Sequence, residues 1–147
     1  MASCCLLIET YVSFIQPTFV DTTGKSERCF GWFFNTEEKF FAFLKGGLTV
    51  EEYLNVQKKI NNKGLPCDFY KNVRCGILHN GETKNGWKIR RTGDLFIESG
   101  KQINATKFLE ELNKVLIEFQ CKLLDSDFNS PIWKNYLNRL SQLIKKS

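Results

Sequence analysis

FYKNVRCGILHNGETKNGW, residues 69–87, holds the only histidine of the chain, His79, five positions after Arg74. Its first half sets Phe69, Tyr70, Val73 and Ile77 at three- and four-residue spacing, which predicts a helix with one apolar side. Pro66 suits a first helical position and Gly81 a helix end, so the helix is expected to start near 66–68 and stop around Asn80-Gly81. The remaining positions are chemically active. Lys71, Asn72, Arg74, Cys75, His79 and Asn80 lie on the helix, and Glu82 and Lys84 follow it.

Outward from this segment the chain reads as apolar-striped helices. Leu6, Leu7, Thr10, Tyr11, Phe14 and Ile15 predict a first helix over 3–16, closed by Pro17. Thr18–Arg28 is polar and reads as an exposed loop. Thr36 suits an N-cap, with Glu37 and Glu38 at the positive end of a short helix carrying Phe40, Phe41, Phe43 and Leu44 and stopped by Gly46-Gly47. Thr49 and Glu52 form a capping box for a helix over 49–60, lined inside by Val50, Tyr53, Leu54 and Val56, before a turn at Asn61–Gly64. WKIRR and LFIES flank Thr92-Gly93-Asp94, which predicts a β-hairpin at about 87–99. Asn104 then caps a long helix striped by Phe108, Leu109, Leu112, Val115, Leu116, Phe119 and Leu123. Ser130-Pro131 opens a last helix whose inner face is Ile132, Trp133, Tyr136, Leu137, Leu140 and Ile144. The fold class is mainly α: one domain over 1–147, a bundle of about five to six helices with one inserted β-hairpin.

A chain of 147 residues can bury a core without disulfides. The net charge of +5 is a mild bias towards polyanionic partners. Thirteen phenylalanines are more than such a core needs, so part of this surplus is expected to cover a partner surface. The six cysteines form no C-x-x-C pair, and one histidine cannot complete a zinc set, so no metal and no cofactor are expected. Reduced thiols and the lack of a basic-apolar leader fit a cytoplasmic protein with no membrane span.

Arg74 and His79 are among the side chains of this segment able to do proton or phosphate chemistry. An imidazole titrates near neutral pH, so it can take or give a proton there. A guanidinium stays charged and forks onto phosphate oxygens. On an ideal helix, however, residues five apart point about 140° apart, whereas Asn72 and His79 share a face. Arg74 must therefore reach around, the helix must loosen near Gly76, or a partner subunit must complete the site. Gly76 costs about 1 kcal/mol against Ala inside a helix, which makes sense where another backbone approaches, as at a dimer interface.

The R-x4-H arrangement in RCGILH, set in an amphipathic helix of a helical chain, resembles the HEPN superfamily. The resemblance implies a homodimer whose two motifs face one cleft. It further implies a metal-independent endoribonuclease of a toxin or phage-defence system, acting on RNA such as tRNA, with an antitoxin or regulatory protein as a further partner. Arg74 would be the phosphate clamp and His79 the general acid/base, with Asn72, Cys75, Asn80 and Glu82 in support. Active members often carry Asn, Asp or His directly after the Arg, where this chain has Cys75. Gly81 stands where one subgroup has a regulatory tyrosine.

The rival readings are a silent HEPN-like dimer binding RNA, a nucleotide or a protein, and a structural subunit of a larger complex. His79 would then cap the helix end. Lys71, Lys84, Lys88, Arg90 and Arg91 are either a solvated face or an RNA-tracking rail, and Trp87 is either core or a base-stacking ring.

Overall fold

Helix α1 (Ala2–Ile15) follows the expected span and ends before Pro17, which opens a single 3₁₀ turn, Pro17–Phe19. The computed structural model describes residues 1–21, 23–43, 67–97, 99 and 101–146. The expected helix over 49–60, its capping box, the turn at Asn61–Gly64, and Leu44, Gly46, Gly47 and Pro66 lie outside the described residues. The fold is mainly helical with a small three-stranded sheet set into it.

The second helix departs from expectation. α2 spans Ser26–Thr36, so it begins inside the segment read as a loop, and Thr36 closes it, its hydroxyl donating to the Trp32 carbonyl. Phe30, Phe33 and Phe34, at i, i+3 and i+4, put three rings on one buried face, and that burial outweighs the polar start. The Phe40 region forms a 3₁₀ segment, Glu38–Phe43, in place of an α-helix capped by Thr36.

The central helix covers 68–80. Tyr70–Arg74 is a π-helical turn, continued by α3 (Cys75–Asn80), and Gly81 caps it in the left-handed region at φ +73°. Phe69 and Val73 are fully buried, as their spacing predicts.

The expected hairpin is corrected in its pairing. β1 (Lys88–Arg90) and β2 (Phe96–Ile97) do not pair with each other, because β3 (Gln102–Asn104) lies between them. β3 runs parallel to β1 and antiparallel to β2, with Ile103 opposite both Ile89 and Phe96. QIN is too short to show a period-two pattern, yet Ile103 is fully buried and anchors the sheet. Asn104 meets its expected role at the start of α4 (Ala105–Asp125), where its Oδ1 accepts from the Thr106 and Lys107 amides at 3.1 Å each.

Within α4, Phe108, Leu112, Val115 and Leu123 are buried, but Leu109 is 49% exposed and leaves the expected stripe. The last helix, α5 (Pro131–Lys146), opens where expected, yet none of its described side chains is fully buried; Leu137, Leu140 and Ile144 face solvent.

The phenylalanines are the core. Phe30, Phe33, Phe34, Phe40, Phe43, Phe69 and Phe108 are each almost fully buried, and Phe69 stacks on Phe108 with centroids 5.7 Å apart. Of the other phenylalanines, Phe14, Phe41, Phe96 and Phe119 are half-buried and Phe128 is 62% exposed.

Candidate functional site

Arg74 leaves the π-turn directed at α1. Its Nε donates to Glu9 Oε1 at 2.9 Å, and its guanidinium carbon sits 5.4 Å from the Tyr70 ring centroid. Both partners of the ion pair are largely covered, at 17% and 15% side-chain exposure. Burial alone would push this guanidinium down, but the Glu9 carboxylate outweighs it and the net direction is up. Cys75, half-buried, sits beside Tyr70, whose hydroxyl is pushed up chiefly by burial.

His79 lies one turn further on and is exposed, as are Asn80 and Glu82. The helix does not loosen near Gly76, where one of the expectations put it; its π-turn lies at Tyr70–Arg74, before the arginine, and brings the two side chains no closer. From Arg74 to His79 the backbone is regular α-helix, so the two remain about 140° apart. No hydrogen bond or ion pair joins them among the described residues. One chain therefore presents the histidine and ties the arginine inward.

Asn72 is buried and bonded on every side. Its Nδ2 donates to the Asp68 carbonyl and to Asp68 Oδ1 at 3.0 and 2.6 Å, and its Oδ1 accepts from Asn85 Nδ2 at 2.6 Å. Its backbone carbonyl accepts from the Lys84 amide at 2.9 Å. Trp87, also buried, donates Nε1 to Asp68 Oδ2 at 3.0 Å and stacks on Phe96, so its ring belongs to the core. These bonds fold residues 82–87 back across the central helix. A Cβ at Gly76 would meet the Glu82 carbonyl oxygen at 2.5 Å. A backbone does approach Gly76, as expected, but it is the chain's own. Gly76 carries no argument for a dimer.

That fold-back delivers a basic segment to the surface. Lys84, Lys88, Arg90 and Arg91 are exposed and make no ion pair among the described residues. Lys88 and Arg90, two apart on β1, project from the same side of the strand. Lys71 is partly engaged, 3.8 Å from Glu27. Among the described residues no group of three or more His, Cys, Asp or Glu is placed to hold a metal ion, and no helix is long and apolar enough to cross a membrane.

The sequence reading missed Glu9, Asp68 and Asn85. Glu9 had a legible signal, being the single charged residue in Ala2–Ile15; a lone carboxylate on a helix that buries most of one face requires a cation from elsewhere. Asp68 and Asn85 had none, since their pairing depends on the return path of the loop. No known family model, curated protein or solved structure matches this chain.

Proposed function

We propose that this chain is a HEPN-like RNA-binding domain that grips the phosphate backbone through Lys84, Lys88, Arg90 and Arg91. The observation that carries this reading is four exposed cations within eight residues, none neutralised by a described carboxylate, on a segment pinned to the helix that bears His79. Such a rail binds by counterion release and reads backbone, not bases. Filter binding with a single-stranded RNA tests it. Replacing Lys88, Arg90 and Arg91 by Ala weakens binding about tenfold or more, whereas His79→Ala leaves affinity unchanged. Equal affinity for wild type and the triple variant rejects the reading.

The second reading, cleavage, is favoured by the exposure of His79 beside Asn80 and Glu82 at the open end of the helix. His79 takes the proton of a ribose 2′-hydroxyl, whose oxygen attacks the adjacent 3′-phosphorus; the P–O5′ bond breaks, the 5′-oxygen leaves with the proton returned by the imidazolium, and a 2′,3′-cyclic phosphate remains. Arg74 serves phosphate only if it leaves Glu9, or if a second copy of the chain supplies the charge. His79→Ala lowers the cleavage rate by about 10²- to 10⁴-fold without changing affinity. Cleavage that is lost in chelator, or that tolerates a 2′-deoxy substitution, excludes this chemistry.

A further inference from the structure

Among the described residues, α5 packs along one side, against α1. Its contacts with α1 run through Tyr136, whose ring centroid lies 4.9 Å from that of Phe14, and Asn135, whose Nδ2 donates to the Ile15 carbonyl at 3.3 Å. Arg139 completes the contact, donating to Ser13 Oγ at 3.0 Å and the Val20 carbonyl at 2.8 Å. The order of these pairs makes the two helices antiparallel, so Leu6 and Leu7, 52% and 37% exposed, lie level with the last turns of α5.

Beside the packed side runs a second stripe. Trp133, Leu137, Leu140 and Ile144 recur at four-, three- and four-residue spacing, the a/d pattern of a helix–helix seam about 16 Å long. Leu137, Leu140 and Ile144 are 37%, 36% and 68% exposed, and Trp133 is flanked by the exposed Phe128 at 5.2 Å between ring centroids. The charges of Pro131–Lys146 are Lys134, Arg139, Lys145 and Lys146, with no carboxylate. At about 100° per residue, Lys134 and Lys145 fall together on the flank of the seam away from α1.

We propose that this seam docks an amphipathic helix of a different polypeptide, with aliphatic residues at heptad spacing and Asp or Glu along the flank that meets Lys134 and Lys145. Charge excludes a second copy of α5 as the occupant, because two such helices would set lysines against lysines with no acid to separate them. Geometry disfavours a lipid surface. The Tyr136 and Arg139 side is spent on α1, leaving a stripe as narrow as a coiled-coil seam instead of the broad apolar face an interfacial helix needs.

The test uses the full chain and two fluorescein-labelled synthetic helices of equal length. Both carry Leu at a and d positions, one with Glu and the other with Lys at the flanks. Anisotropy shows the Glu peptide binding at least about tenfold more tightly than the Lys peptide. Ile144→Asp, at an exposed position, abolishes that binding with unchanged melting. Lys134→Glu combined with Lys145→Glu reverses the preference between the two peptides. Equal affinity for both peptides overturns the proposal, as does indifference to Ile144→Asp. So does flotation with phosphatidylserine vesicles when the Glu peptide does not bind, or self-association by sedimentation that Ile144→Asp abolishes.

Discussion

A methyl group at position 76 has nowhere to go. Ala is favoured over Gly in a helix by about 1 kcal/mol, yet here it would press on the Glu82 carbonyl and displace the loop held by Asn72. Gly76→Ala is therefore expected to destabilise by about 1–3 kcal/mol in urea unfolding, and an equally stable variant would refute the close approach. The Arg74–Glu9 pair decides a second matter at this scale. If Arg74 is mainly a tie to α1, Glu9→Gln and Arg74→Ala each cost about 3 kcal/mol, and the double variant costs far less than their sum. RNA affinity is then unchanged by Glu9→Gln. A weakened RNA affinity on Arg74→Ala with stability intact would restore the arginine as a clamp.

Elements were legible where a residue acts through its neighbours in sequence. Pro17 ends α1, Gly81 caps the central helix and Asn104 starts α4, each by local chemistry alone. They were illegible where the partner is distant. Phe30, Phe33 and Phe34 make a helix of a segment with a polar start because a phenylalanine core receives them, and β3 exists because β1 and β2 arrive on both its sides. The packing of α1, α2 and the central helix also has a chemical signature. Burial pushes the Cys5, Cys29 and Cys67 thiols up to about 12 from 9.0. Between those values the unfolded chain has lost protons that the folded chain keeps, so stability is full below pH 9 and falls as pH rises towards 12. Alkylation followed by mass spectrometry should label exposed Cys121 at pH 8 in the native protein and spare these three until it unfolds. Rapid native labelling of Cys29 would contradict the burial.

For the molecule as a whole, the residues of the candidate segment were visible in the sequence, but the contacts each one makes were not. Helical spacing already set Arg74 and His79 about 140° apart, and the structure adds what each meets: Arg74 is tied to Glu9 and His79 is open to solvent. Asn72, picked out as a helper in chemistry, holds the loop that delivers the cations. The central claim is that Lys88, Arg90 and Arg91, with Lys84, form an RNA-tracking rail. It is tested most directly by the salt dependence of single-stranded RNA binding for wild type and for the variant carrying Lys88→Glu, Arg90→Glu and Arg91→Glu. Wild-type affinity should fall steeply with salt. The variant should bind at least about tenfold more weakly at low salt, with a log–log slope shallower by about 2. Superimposable curves for the two proteins, or no RNA binding by wild type at low salt, would contradict the account.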